Sequence, residues 1–368
     1  MTPSTALDCR LQQRYITITI YENLIGTMRK VTIADIAKRA GVSVSTVSRV
    51  LNGKVEGYMR PETYDRVVKA IEELGYRPNR LAQALRGAPT RIIGFVIPDR
   101  LNPYFQELTL ALERIAYTSG YGVILCSSDN SLEKERTYLE LLERQHVDGI
   151  IFSTVGSQKE EINRLISHGL AVVLADEEVE GVNAPVVVSD NYLGGRQATE
   201  HLLSLGHERI ACITGPLNLV SSRDRLRGYR DALRRAGLEV DERLVVESRD
   251  FSYDEGYKAA KKLLRRRLPF TAVVCANDLV ALAMVRALGE RGMAVPEDCS
   301  VVGFDNSYIA EITYPRLTTV AQPVKTIMRK VFSLLDEALR GEASPGVYRL
   351  KTRLVVRDST APPGRGKA

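Results

Sequence analysis

The run Val31-Thr32-Ile33-Ala34-Asp35-Ile36-Ala37-Lys38-Arg39-Ala40-Gly41-Val42-Ser43-Val44-Ser45-Thr46-Val47-Ser48-Arg49-Val50-Leu51-Asn52 is compatible with few structures. Its apolar residues recur at helical spacing in two short bursts. Ile33, Ile36, Ala37 and Ala40 form the first, and Val47, Val50 and Leu51 the second. Two helices joined by a tight Gly41-Val42-Ser43 turn satisfy this pattern, because each then has one stripe to bury. Thr32 is placed to cap the first helix, with Asp35 three residues on as an acidic capping-box partner. Ser43 is placed to cap the second, and Asn52-Gly53 is a stop signal. Val44, Ser45, Ser48 and Arg49 are left facing outward. A second helix that offers small polar groups and an arginine near its start suits a DNA major groove.

Caps and an inner stripe fit any helical hairpin; the charge distribution is more discriminating. The chain carries 51 Lys/Arg and 45 Asp/Glu, a net of +6. Residues 28–90 hold 12 Lys/Arg against 6 Asp/Glu, and the rest of the chain balances. The whole basic excess therefore sits on the segment with the two-helix pattern, where phosphate contacts would use it.

Pro61 predicts the start of a third helix running to Leu74, with Val67, Ala70, Ile71 and Leu74 on one face and Gly75 ending it. In Tyr76-Arg77-Pro78-Asn79-Arg80-Leu81-Ala82-Gln83-Ala84-Leu85, Asn79 could cap a helix of barely two turns. Such a helix is marginal by itself and needs a partner to pack on. From Arg91 the pattern becomes short apolar runs alternating with helical stretches. Strands are expected at Ile92–Ile97, Gly122–Cys126, Gly149–Ser153, Ala171–Ala175, Val186–Ser189, Ile210–Thr214, Leu244–Val246, Ala272–Cys275 and Val301–Phe304. Helices are expected between them, as at Phe105–Tyr117, Lys134–Arg144 and Glu255–Arg266. This alternation predicts doubly wound parallel sheets in two lobes, with ligand chemistry just beyond the strands' carboxyl ends.

The expected organisation is an N-terminal extension (1–28), with Met28 as the biological start, a headpiece (29–77), a hinge helix and linker (78–90), a two-lobed core (91–360) and a disordered tail (361–368). Neither an apolar run long enough to span a membrane nor a secretory signal is present. Cys9, Cys126, Cys212, Cys275 and Cys299 lack metal or disulfide spacing and are expected as reduced, mostly buried thiols in a cytoplasm. His146, His168, His201 and His207 show no ligand spacing and are expected at helix ends or on the surface. Phosphate-loop, zincin, nucleophile-elbow and Gly-rich dinucleotide motifs are absent, so neither catalysis, a cofactor nor a metal is expected.

The segments Val31–Asn52, Tyr76–Asn79 and Ala82–Leu85 together resemble the lactose/galactose-repressor (LacI/GalR) family of bacterial regulators. The resemblance continues through Ile93-Gly94-Phe95-Val96, Val147-Asp148-Gly149-Ile150-Ile151, Gly206-His207, Ala276-Asn277-Asp278, Val302-Gly303-Phe304-Asp305-Asn306 and Leu317-Thr318-Thr319-Val320. It implies an α/β fold: a three-helix helix-turn-helix headpiece, a hinge helix, and a core similar to periplasmic sugar-binding proteins. It also implies a homodimer on a pseudo-palindromic double-stranded operator.

Carried over by position, Val44, Ser45 and Arg49 would face base edges, with Arg49 bidentate to a guanine. Thr32, Ser43, Thr46, Ser48 and Asn52 would hold the DNA from outside its base edges, mostly at phosphates. Asn79, Arg80 and Ala82 would enter the minor groove, and Leu85 would wedge a central base step. The loop from Lys54 to Arg60 is about two residues longer than the family's usual one, which leaves its backbone contacts open.

Asn102-Pro103-Tyr104-Phe105 is similar to a turn of ribose-type sugar binders, and Arg225, Phe251, Asn277, Asp305 and Gln322 match further effector positions. Chemically the set suits a polyol between Phe105 and Phe251, with hydroxyls on Arg225, Asn277 and Asp305. Asn277 and Asp305 could instead cap the helices after their strands, and Arg225 leaves a sugar phosphate open. Ser153-Thr154 departs from the polar-charged pair of ribose-type binders. The function implied is a sugar-responsive transcriptional regulator, most simply a repressor of carbohydrate genes. The alternatives are a global regulator answering to a protein corepressor or non-sugar metabolite, and a sugar-binding receptor without a DNA role.

Overall fold

The computed structural model describes residues 31–51, 59–76 and 89–364. The chain forms two compact units, one up to Ala88 and one from Pro89. Asn52, the hinge positions Asn79, Arg80, Ala82 and Leu85, the Lys54–Tyr58 part of the long loop, and the N-terminal extension lie outside the described residues.

The first unit contains α1 (Ile33–Ala40), α2 (Val44–Leu51) and α3 (Pro61–Glu73). Asp35 Oδ2 accepts from the Thr32 amide at 2.9 Å, while the Asp35 amide donates back to Thr32 Oγ1 at 3.4 Å. This closes the capping box at the start of α1. Gly41 ends α1 in the left-handed region at φ +66°, a conformation in which a Cβ is disfavoured. The Ser43 hydroxyl accepts from the Thr46 amide at 3.2 Å at the start of α2. Ile36, Ala37, Ala40, Val47, Val67 and Ala70 are buried where the three helices meet.

The second unit holds two six-stranded sheets. The first lobe contains β1 (Ile92–Ile97), α4 (Pro103–Thr118), β2 (Gly122–Ser127), α5 (Leu132–Arg144), β3 (Gly149–Phe152), α6 (Lys159–Ser167), β4 (Ala171–Ala175) and β5 (Pro185–Ser189). The second contains α7 (Asn191–Ser204), β6 (Ile210–Thr214), α8 (Val220–Arg235), β7 (Val245–Glu247), α9 (Tyr253–Arg265), β8 (Ala272–Cys275), α10 (Asp278–Gly289), β9 (Ser300–Asp305), α11 (Ile309–Ile312) and β10 (Thr318–Ala321). The chain then returns to the first lobe as α12 (Val324–Leu339) and β11 (Gly346–Leu350), and ends in the second as β12 (Arg353–Val355). It thus crosses between lobes three times. Strand order is β11-β5-β4-β3-β1-β2 in one sheet and β12-β10-β9-β8-β6-β7 in the other.

The first sheet is wholly parallel, as expected. The second differs at its edge, where β12 runs antiparallel to β10. The short return from β11 brings β12 onto that edge in the opposite direction. Helices cover both faces of each sheet, and separate apolar clusters fill the four interfaces. Four cysteines, Cys126, Cys212, Cys275 and Cys299, are buried free thiols.

His207 stands at a helix end, one of the two positions expected for it, and is not on the surface. It follows α7 but is buried, with Nδ1 at 2.8 Å from Thr271 Oγ1 and Nε2 at 2.9 Å from the Ala361 carbonyl oxygen. A carbonyl only accepts, so Nε2 carries the proton. Core hydrogen bonding therefore extends one residue past Thr360.

α7 and α8 pack closely through Gly195 and Gly228. A Cβ on Gly228 would overlap the Tyr192 carbonyl oxygen, and one on Gly195 the Arg225 carbonyl oxygen. Neither obstacle is a flexible side-chain end, so the helices themselves must separate. Gly228→Ala is expected to destabilise the core by about 1–3 kcal/mol, read as a fall of several degrees in thermal midpoint; an unchanged midpoint would contradict this packing.

Candidate functional site

In the first unit, α2 presents Val44, Ser45 and Arg49 as exposed side chains, while Thr46 and Ser48 are half-buried. Val44 is 48% exposed, a large apolar residue on the outer face of a short helix. Ser43 Oγ lies 2.7 Å from Ser45 Oγ and 2.8 Å from Thr46 Oγ1, so three hydroxyls cluster at the N-terminal end of α2. The aligned peptide dipoles make this end attractive to anions. Thr32 Oγ1 donates to Asp35 Oδ2 at 2.7 Å, so its hydroxyl proton serves the cap of α1.

In the second unit a cavity of about 190 Å³ lies between the lobes, at the strands' carboxyl ends. Asn102, Phe105 and Phe251 line it, as expected. Asn102 caps α4, its Oδ1 accepting from the Tyr104 amide at 3.1 Å, which fixes the turn that aims Phe105 inward. Gly215 makes room for Phe251, since a Cβ there would press on that ring and on the Ser222 hydroxyl.

The other expected residues lie around this cavity, not on its lining. Arg225 Nε donates to Asn191 Oδ1 at 2.9 Å and Nη1 to the Ala276 carbonyl oxygen at 2.7 Å. Its guanidinium also stacks 3.7 Å from the centre of the Phe304 ring. Asn277 performs the helix cap that the sequence left open. Its Oδ1 accepts from the Val280 amide at 2.9 Å, and Nδ2 donates to the Phe251 carbonyl oxygen at 3.0 Å. Both ends of its amide are thus engaged by the protein, and it acts on the cavity by holding Phe251. Asp305 Oδ1 accepts from Gln322 Nε2 at 2.8 Å, while Gln322 Oε1 accepts from the Ser189 hydroxyl at 2.6 Å. This chain spans two crossovers and joins the sheets.

Thr154, of the Ser153-Thr154 pair singled out in the sequence, lines the cavity, and so do Asp176, Glu177, Asn218 and Asp250, which sequence reasoning missed. Asp176 and Asp250 follow strands, so the carboxyl-end rule reaches them; apolar pattern and motif do not mark them. Asp176 at φ +76° and Asn130 at φ +57° line the cavity, and Asp305 adopts φ +112° close behind. Such conformations cost about 1–3 kcal/mol each and gather where function over-determines the backbone. Thr154 Oγ1 donates to Glu135 Oε2 at 2.8 Å, which turns the hydroxyl towards the buried carboxylate of α5.

The electrostatics are dominated by buried acids. Burial pushes Asp176 up, while Arg225 and the Tyr104 hydroxyl pull it down. Burial and the nearby Asp278 raise Asp305 well above the ordinary range. Asp278 is itself pushed up to about 6 by burial, against hydrogen bonds from Thr319 and Ser307. The Tyr104 hydroxyl is buried beside Asp176 without a hydrogen bond of good geometry. Uncharged hydroxyls of a ligand can serve this wall as donors or acceptors with no charge to desolvate. Among the described residues no group of three or more His, Cys, Asp or Glu is placed to hold a metal ion.

Residues 32–79 match the family described as bacterial regulatory proteins, lacI family, and residues 199–360 a periplasmic binding protein-like domain. The HTH-type transcriptional regulator DegA of Bacillus subtilis is 39% identical over 337 residues, covering 90% of this chain and 99% of DegA. The chain belongs to the lacI family of bacterial regulatory proteins. The ribose operon repressor of Halalkalibacterium halodurans is 38% identical over 330 residues, covering 89% of this chain and 97% of that repressor. A structure of the Lac repressor dimer bound to operator and the anti-inducer ONPF superposes with a TM-score of 0.79 at 29% identity, over 90% of this chain and all of that one. This lacI-family chain is therefore a DNA-binding transcriptional regulator, and no helix among its described residues is long and apolar enough to cross a membrane.

Replacing Arg225 by lysine removes the planar fork that serves Asn191 and Ala276 together. Arg225→Lys is expected to cost about 1–3 kcal/mol in urea unfolding, because a buried acceptor is left unpaired. Unchanged stability would show that the fork contributes nothing.

Proposed function

We propose that the protein is a dimeric, cytoplasmic repressor of carbohydrate genes whose operator affinity is set by a sugar between its core lobes. The observation that carries this reading is the cavity with Phe105 and Phe251 on its wall, Asn102 beside them, and polar groups of Tyr104, Arg225, Asp305 and Gln322 behind. Aromatic faces against ring C–H groups, with donors and acceptors around them, are what a polyol requires. The small volume suits one sugar ring better than a drug-sized ligand. Two relatives support the reading: one is a ribose operon repressor, another a repressor dimer on its operator.

On DNA, Val44, Ser45 and Arg49 are the base-reading set. Ser43, Thr46, Ser48 and Asn52 hold phosphates, with Thr32 at the start of α1 beside them. Asn79, Arg80 and Ala82 enter the minor groove and Leu85 wedges a central step. Effector binding changes the lobe arrangement about the crossovers and with it the spacing of the two hinge segments in the dimer. A coupling of this kind is typically about 1–3 kcal/mol and reciprocal between sites.

The DNA arm is tested by selecting an operator from random duplexes and titrating Arg49→Ala on it and on unrelated DNA. Specific binding is expected to weaken by about 1–3 kcal/mol, with little change on unrelated DNA. Equal losses on both would reduce Arg49 to a phosphate contact.

A further inference from the structure

α8 has no side chain of its own capping its N-terminus, and its first turn contains no acidic residue. The cap comes from the other lobe. Glu177, just beyond β4, is only 4% exposed. Its Oε1 accepts from the Val220 amide at 2.7 Å and the Ser221 amide at 3.2 Å, and its Oε2 from the Ser221 hydroxyl at 2.6 Å. A carboxylate from one lobe thus satisfies the first amides of a helix in the other, at the end of that helix where the dipole favours an anion.

Two smaller bonds cross the cleft as well, from Asn218 Nδ2 to the Val155 carbonyl oxygen at 3.1 Å and from the Tyr308 amide to Glu107 Oε1 at 3.1 Å. The Asn218 bond satisfies no helix end, while the Tyr308 amide is that of the N-cap of the single-turn α11. Glu177 differs from the Asn218 bond, whose two residues also line the cavity between the lobes, in capping a helix, and from the Glu107 bond in lining that cavity.

We propose that Glu177 is the positioning residue that holds the effector cleft closed: closing seats it on the N-terminus of α8, and opening strips that helix of its cap. The inference rests on the cleft being the effector site, since a ligand against Glu177 would then meet the same group that closes the lobes.

Charge bears on this clasp. Burial pushes Glu177 up to about 7, helped by the adjacent Asp176 and opposed by the bonds from Ser221 and Val220. With the lobes apart, the carboxyl faces water and returns to its ordinary range, so the closed arrangement binds the proton more tightly. Closure is therefore favoured as pH falls through 7 and disfavoured above it. The protonated acid keeps all three contacts, with Oε1 still accepting from the two amides and Oε2–H donating to Ser221 Oγ. Asp99, Asp176, Arg249 and Asp250 share the effector cavity with Glu177. Lys159, Glu178, Glu180 and Arg223 share a second cavity on its other side.

The test uses the full chain with one dye on each lobe, without ligand, alongside Glu177→Gln and Glu177→Ala. Glutamine keeps an oxygen for the two amides but does not titrate, so any pH response surviving in it belongs to the other charged groups. The wild-type closed-to-open ratio is expected to rise ~10-fold from pH 8 to pH 6, as follows from a group titrating near 7 in the closed form alone. Glu177→Gln is expected to stay closed with no such rise, and Glu177→Ala to open at both pH values. Hydrogen exchange at Val220 and Ser221 is expected to accelerate ~10-fold in Glu177→Ala, with the Tyr229–Leu233 amides unchanged as evidence of an intact lobe. A Glu177→Gln response equal to wild type, or a Glu177→Ala protein as closed and protected as wild type, would overturn the proposal. Loss of closure in Glu177→Ala, in a protein whose DNA binding no cleft ligand alters, would uphold the clasp and reject the effector reading instead.

Discussion

Two parallel sheets covered by helices on both faces leave polar side chains almost nowhere to go except the ends of the strands. Their interiors are continuous apolar runs, as in Ile92–Ile97 and Ala171–Ala175. At the carboxyl ends, by contrast, Asp176, Glu177, Asp305, Gln322 and Asn102 collect, most of them buried. Placing the two sheets with these ends facing one another makes a cleft of partly desolvated acids and amides. Closure, ligand polarity and interlobe bonding all follow from that confinement.

The acids are held together by specific partners. Asp305, Gln322 and Ser189 form one chain across two crossovers, and Arg225 is braced by Asn191, Ala276 and the Phe304 ring. Because Arg225 already serves these protein groups, it is a weaker anchor for an anionic ligand than its presence in the sequence suggests. A sugar phosphate, left open by the residues alone, is thus the less favoured occupant of this cavity.

Much of this was legible in the chain. Thr32 with Asp35, the Gly41 turn and the stripe of Ile36, Ala37, Ala40 and Val47 define the headpiece from local rules, since caps and short-range periodicity settle there what packs. The long apolar strands were equally plain. β10 escaped because Thr318 and Thr319 are buried polar residues that bond to Thr360 and Asp278, which no apolar pattern marks. β11 and β12 escaped because edge strands of three to five half-exposed residues carry little alternation. At the cleft, Phe105 and Phe251 were found, yet Asn277 proved to be a cap and Glu177 was overlooked. The Asn277 cap is a bond to the amide three residues on, which its spacing allowed, whereas the helix end that Glu177 serves lies 43 residues away and spacing along the chain does not encode it.

The central claim is that occupancy of the core cleft sets affinity for operator DNA. The most direct test is the operator dissociation constant of the full-length dimer, measured with and without a sugar shown by calorimetry to bind the core one-to-one. The account predicts a change of about 5–150-fold, the range that a 1–3 kcal/mol coupling implies. A sugar that saturates the cleft, loses its affinity on Phe251→Ala, and leaves operator binding unmoved would contradict it.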